Sequence, residues 1–169
     1  MSMRSLPRWS APASSSVTEA PAVLPAGWRA RRLTLEAMAL LTLARLLIAA
    51  VRFARWRNWL GDVAGPPDTA PAERLDHYYA RVVERAANRL PFTTKCLPRA
   101  IALHWILHRR GRDAALVIAA LSGETRGTRD DLHAWVERGG EILIGETDRP
   151  YHRLARFAFA PRRSAPASA

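Results

Sequence analysis

The sequence of 169 residues contains a single cysteine, Cys96, and a single lysine, its neighbour Lys95. One cysteine excludes an internal disulfide and leaves no thiolate cluster for a structural zinc ion. Lysine and arginine total 26 against 15 acidic residues, a formal net charge of +11. Because no nucleic-acid motif accompanies this charge, we expect no nucleic-acid partner. An acidic or extended peptide partner, or an anionic membrane surface, would match the positive charge equally well.

The N-terminus also lacks the continuous apolar run of a signal peptide. Residues 1–27 are rich in serine, alanine and proline, which predicts a disordered tail and favours a cytoplasmic protein. The remaining length suits one domain, and 49% hydrophobic residues suffice for a core. We expect a helical N-terminal segment at 28–90, a core at 91–160 and a flexible tail at 161–169.

Two helical segments are predicted before the cysteine, from Trp28 to about Leu60 and from about Ala70 to Leu90, with a Gly- and Pro-rich linker at 61–67. The first is strongly apolar between Leu33 and Val51. A membrane-spanning helix of that length would exclude charge, so Glu36 and Arg45 favour a core helix. The Arg- and Trp-rich end of this segment leaves peripheral membrane contact as an alternative.

The stretch from Thr93 to Gly111 predicts a helix with Cys96 in its first turn. Two threonines and Lys95 precede the cysteine as capping candidates, and Pro98 suits a first turn. The positive end of the helix dipole favours thiolate over thiol, and Lys95 acts in the same direction. These features favour a nucleophilic role for Cys96. The alternative is that Cys96 is simply a small buried hydrophobic residue, as a lone cysteine often is.

After Gly111 the spacing of the apolar residues changes from that of a helix to that of β-strands. Residues 114–121 predict a strand buried on both faces, 122–130 a polar loop, and 132–146 a β-hairpin with Gly139-Gly140 as its turn. With that turn, the facing pairs are expected to be Arg138–Glu141, Trp135–Ile144 and His133–Glu146. Asp148 lies diagonally within reach. The chain is therefore predicted to be α+β: N-terminal helices, then a cysteine helix packed on a small antiparallel sheet.

The hairpin places an imidazole beside a carboxylate, two elements after the cysteine. A histidine can take the thiol proton while a carboxylate fixes its tautomer, so Cys96, His133 and either Glu146 or Asp148 form a candidate catalytic triad. The alternative is an ordinary cross-strand pair on the surface. Trp135 either shields the imidazole–carboxylate pair or simply packs.

A metal site is not expected. His104 and His108 have ligand spacing, but the sequence offers no third ligand and lacks the glutamate of a zinc-peptidase helix. We therefore expect neither metal nor cofactor.

Three segments in this order resemble the transglutaminase-like leader peptidases of lasso-peptide biosynthesis, over roughly Leu90 to Asp148. They are Cys-Leu-Pro-Arg-Ala-Ile-Ala-Leu at 96–103, Arg-Arg-Gly at 109–111 and His-Ala-Trp-Val-Glu at 133–137. The resemblance implies a papain-like cysteine peptidase core that removes the leader from a lasso precursor peptide. It also implies two partners, a leader-recognition protein and an ATP-dependent lasso cyclase. The recognition module fused to some members has no counterpart in this sequence, so that partner would be a separate chain.

The sequence departs from this family at the third catalytic residue. The family usually has aspartate on the strand after the histidine, and the closest alignment falls on Gly145 or Glu146. Register favours Glu146, and residue type favours Asp148. The resemblance implies thioester chemistry with Cys96 as nucleophile and His133 as proton carrier. The alternatives are a transglutaminase-like acyl transferase and a non-catalytic scaffold that binds peptide or a membrane surface.

Overall fold

The computed structural model describes residues 27–63, 70–121 and 132–159. The predicted tails, apart from Gly27, and the predicted loop 122–130 lie outside these ranges. In chain order, the described elements are α1 (Trp28–Ala50), α2 (Phe53–Trp56), a 3₁₀ turn (Arg57–Leu60), β1 (Asp62–Val63), α3 (Arg74–Ala87), α4 (Cys96–Arg109), β2 (Ala115–Leu121), β3 (Leu132–Arg138), β4 (Glu141–Ile144) and β5 (Tyr151–Ala158). The predicted α+β class is confirmed.

The strands form one antiparallel sheet in the order β1-β5-β2-β3-β4. Helix α4 packs against this sheet, and α1 and α3 pack against α4, so that all three helices share one hydrophobic core with the sheet. Its largest fully buried side chains include Leu41, Leu103, Leu107 and Leu116. The cysteine helix therefore lies between the sheet and the N-terminal helices.

Helix α1 is long and apolar enough to cross a membrane by length and composition alone. In the fold, its residues Leu33, Ala37, Leu41 and Ala44 are buried, at the spacing of one helical face. This face packs on α3 and α4, as a core helix would. The opposite face remains apolar and exposed, with Leu35, Leu43 and Leu46 as its large side chains.

The predicted first helix is interrupted after Ala50. Val51 is extended, and the chain restarts as α2 before tightening into the 3₁₀ turn. Residues 61–67 were predicted to be a linker, but Asp62 and Val63 form a short strand that pairs with the end of β5. Strand β5, which the sequence pattern did not indicate, lies between β1 and β2 inside the sheet.

Helix α3 begins with a capping box. The Glu73 side chain accepts from the main chain of Asp76, and Asp76 accepts in return from the Glu73 N–H at 2.9 Å. Asp76 is fully buried and also binds the guanidinium of Arg112, which contacts Glu73 at 2.7 Å. The hydrogen bond to Asp76 raises the pKa of Arg112 above its usual range. This buried cluster joins the start of α3 to the turn that follows α4.

Candidate active site

Cys96 is the first residue of α4, as the sequence predicts. The N-cap residue is Lys95, and its side chain makes no capping hydrogen bond. Thr94 does not cap the helix either: among the described residues, its buried hydroxyl is bonded to Arg99 Nε, from which it accepts at 3.1 Å, and to no helix N–H. The thiol therefore lies at a helix N-terminus whose N-cap side chain leaves the first-turn N–H groups open.

His133 is the second residue of β3 and is half-buried. Its Nε2 lies 2.7 Å from the main-chain carbonyl oxygen of Gly145. A carbonyl only accepts hydrogen bonds, so Nε2 carries the proton in this contact. The ring also stacks on Tyr151, with centroids 5.0 Å apart. The remaining ring nitrogen, Nδ1, is the one left to exchange a proton with a thiol.

Cys96 and His133 line the same cleft, which has a volume of about 450 Å³. The Cys96 Sγ donates weakly to the carbonyl oxygen of Leu132, at 3.9 Å, and Leu132 directly precedes His133. The other lining residues are Glu84, Thr94, Arg99, Ile144, Gly145 and Glu146. The structure thus brings together three of the four predicted site residues, Cys96, His133 and Glu146.

The predicted hairpin register is correct at the turn and wrong beyond it. Arg138 pairs with Glu141 as expected, but a β-bulge follows, and Val136 rather than Trp135 pairs with Ile144. An extra residue in one strand shifts every later pair by one position. The expected pairing of His133 with Glu146 is therefore lost.

The two carboxylates predicted to orient His133 occupy different places. Glu146 is exposed and lines the cleft, whereas Asp148 is exposed and does not line it. Among the residues that the structure describes, neither carboxylate makes a hydrogen bond to the imidazole. The ring nitrogen that a carboxylate was expected to hold is bonded to the Gly145 carbonyl instead. A catalytic role for Glu146 or Asp148 stays a prediction.

The wall of the cleft contains an ion pair that the sequence pattern did not indicate. Arg99 Nη1 lies 2.7 Å from Glu84 Oε2 and connects α4 to α3. The available signal was spacing, since Arg99 follows Cys96 by three residues and so shares its helix face. Both side chains are partly exposed to the cleft, which gives it one positive and one negative group near the thiol.

Trp135 packs on the outer face of the sheet with Val117, Ala119 and Tyr151. Its Nε1 donates to the buried carboxylate of Glu137 at 3.3 Å. Of the two roles considered for this residue, the structure shows packing.

His104 and His108 are engaged with protein groups. Nε2 of the buried His104 lies 2.9 Å from the Leu60 carbonyl oxygen, and both rings stack on Phe159. Burial lowers the pKa of His104 to about 4, so this ring is neutral near pH 7. Within the described ranges, no group of three or more potential ligands could hold a metal ion.

The chain is similar to a known protein family. The family model of the transglutaminase-like superfamily matches residues 38–158, which is more than half of the chain and includes the entire cleft between α3, α4 and the hairpin. No curated protein and no solved structure matches the chain significantly. Enzymes of cysteine-protease type are typical of this superfamily. From this match, and from an α+β fold consistent with it, the chain belongs to the transglutaminase-like superfamily.

Proposed function

We propose that this chain is a cysteine peptidase that removes the leader from a lasso-peptide precursor before the macrolactam closes. The cleft shared by Cys96 and His133 carries the proposal, because thiol and imidazole are the two groups that thioester chemistry requires. The superfamily supports activity of the peptidase or acyl-transferase type. The choice of a lasso precursor rests on the resemblance of the segments around Cys96 and His133.

In the proposed reaction, the Cys96 thiol gives its proton to Nδ1 of His133, and the thiolate attacks the scissile carbonyl carbon. The carbonyl oxygen becomes an oxyanion, for which the Cys96 N–H at the start of α4 is a donor. The C–N bond then breaks, and His133 passes the proton to the leaving amine. Water hydrolyses the resulting thioester and restores the thiol.

Two further clefts share lining residues with the central one, which supports an extended peptide as substrate. One branch, of about 230 Å³, runs between α3 and β4 and shares Glu84, Gly145 and Glu146 with the central cleft. The other branch, of about 470 Å³, shares Thr94 and Arg99 and leads past residues 87–93. A peptide laid along these branches would cross the thiol with several residues on either side. A small amide would need only the central part.

The proposal places the chain in the cytoplasm, acting without a cofactor on the precursor peptide. A separate leader-recognition protein would present the peptide, and an ATP-dependent lasso cyclase would consume the product. The exposed apolar face of α1, with Leu35, Leu43 and Leu46, is the surface proposed for peripheral membrane contact.

Mass spectrometry of a full-length lasso precursor, incubated with this protein and a leader-recognition partner, tests the proposal. Wild type is expected to make a single cut between leader and core, and Cys96→Ala is expected to bind the peptide without cutting it. Cys96→Ala removes only the sulfur, so thermal unfolding of the two proteins controls for folding. Binding without cleavage by folded wild type would contradict the proposal.

The two alternatives give different products in the same experiment. An acyl transferase would release ammonia, or attach an added amine, and leave the chain intact. A scaffold would bind peptide equally well in wild type and Cys96→Ala. The scaffold has one observation in its favour, because within the described residues no carboxylate is bonded to His133.

A further inference from the structure

We propose that the main-chain carbonyl of Gly145 orients His133, in the role that a carboxylate side chain plays in a Cys-His-Asp triad. This inference rests on the proposed function, because it concerns the proton carrier of that reaction. Gly145 is a positioning residue: it holds the imidazole through one hydrogen bond and takes no proton itself.

The β-bulge in the hairpin brings this carbonyl to the histidine. Glu137 pairs with Ile142, and the next pair is Val136 with Ile144, which leaves Leu143 as the extra residue of β4. Gly145 is the first residue after Ile144, the end of β4, and lies against the main chain of β3. Its carbonyl oxygen comes within 2.7 Å of His133 Nε2, the distance of a good hydrogen bond.

The backbone at position 145 admits only glycine. Its φ is +86°, a region that residues with a side chain rarely adopt. A Cβ atom there would also lie 2.6 Å from the Ala134 carbonyl oxygen and 3.0 Å from Trp135 Cβ. An aspartate at this position would require the main chain to move. Because Gly145 has no side chain, its main chain can approach β3 closely, and this approach places its carbonyl oxygen next to His133.

A carbonyl acceptor meets the chemical requirement for orientation. By accepting from Nε2–H, it holds the neutral ring in the tautomer whose Nδ1 lone pair is open to the thiol proton. When Nδ1 takes that proton, Nε2–H continues to donate to the carbonyl. The carbonyl has only a partial charge, so it stabilises the imidazolium less than a carboxylate would.

Position 140 offers a matched control for a substitution at position 145. Gly140 lies in the turn of the same hairpin with φ +84°, and a Cβ there would meet nothing within 4 Å. Gly145→Ala and Gly140→Ala thus introduce similar backbone strain. Only Gly145→Ala forces the carbonyl away from His133.

Alkylation of Cys96 by iodoacetamide at pH 7 provides the first readout, because the chain has no other thiol. Gly145→Ala is expected to slow alkylation at least about tenfold, since a misplaced imidazole no longer accepts the thiol proton. Gly140→Ala is expected to react at the wild-type rate, and to lower Tm by less than Gly145→Ala because its Cβ atom meets no neighbouring atom. Equal rates for the two variants would overturn the proposal.

The tautomer of His133 provides a second readout that needs neither substrate nor the glycine variants. Long-range ¹H–¹⁵N spectra of the ¹⁵N-histidine-labelled protein, assigned with His133→Asn, should show neutral His133 protonated at Nε2. Glu146→Gln and Asp148→Asn should leave that tautomer unchanged. A neutral ring protonated at Nδ1, or a tautomer that changes in either carboxylate variant, would overturn the proposal. A wild type that cuts no precursor would contradict the peptidase and leave these spectra to decide the role of Gly145.

Discussion

At the scale of single residues, the structure separates the groups that can do chemistry from those that hold the fold. Cys96 and His133 line one cleft that is open to solvent, whereas His104, on the same helix as Cys96, is buried. Nδ1 of His104 is buried without a hydrogen-bond partner in the structure. A buried imidazole of this kind contributes to stability only while it remains neutral.

His104 is expected to make folding stability depend on pH. Burial lowers its pKa to about 4, below the unfolded value near 6.5, so between these values the unfolded chain binds more protons. Stability should therefore fall as the pH drops from about 6.5 to 4, by on the order of 3 kcal/mol from this residue.

Urea unfolding of wild type and His104→Gln at pH 7 and pH 4.5 measures this effect. Glutamine keeps a donor for the Leu60 carbonyl but does not titrate. The variant should lose less stability than wild type between the two pH values, whatever its stability at pH 7. Equal losses would show that His104 does not titrate as its burial implies.

At the scale of elements, the buried cluster around Asp76 holds the helices in register with the sheet. Asp76 caps α3, binds Arg112 after α4, and lies 3.4 Å from Arg138 at the end of β3. Three elements thus converge on one fully buried carboxylate. The cluster therefore links α3, α4 and β3, three elements that each contribute residues to the cleft.

Asp76→Asn should therefore be strongly destabilising. It leaves the charges of Arg112 and Arg138 without their central counter-ion, and breaking a buried pair in this way costs about 3–5 kcal/mol. Glu141→Gln is the control, because Glu141 forms an exposed pair with His77 that is worth less than about 1 kcal/mol. Urea unfolding at pH 7 compares them. Similar losses in the two variants would contradict the role of the cluster.

At the scale of the whole molecule, sequence pattern predicts what side chains specify. The helical period and the stop signal at Gly111 predict α4, and the glycine pair predicts the hairpin turn. Cys96 and His133 were predicted as site residues because nucleophilic chemistry requires those side chains in that context. These parts of the fold and site follow from residue type and spacing.

The features that sequence did not predict depend on the backbone or on pairing with distant residues. The bulge at Leu143 is not marked by a turn residue, and the Gly145 carbonyl is a group that every residue has. Strand β5 lacks clear alternation because Arg153 and Arg156 face the buried Glu137, a partner distant in sequence. Such features become visible only in three dimensions.

The central claim is that Cys96 and His133 act as one thiol–imidazole pair. The most direct measurement is the rate at which iodoacetamide alkylates Cys96 at pH 7 in wild type and in His133→Asn, with urea-unfolded wild type as the reference for an unassisted thiol. Folded wild type is expected to react at least about tenfold faster than both. A folded His133→Asn that reacts as fast as wild type would contradict a thiol–imidazole pair.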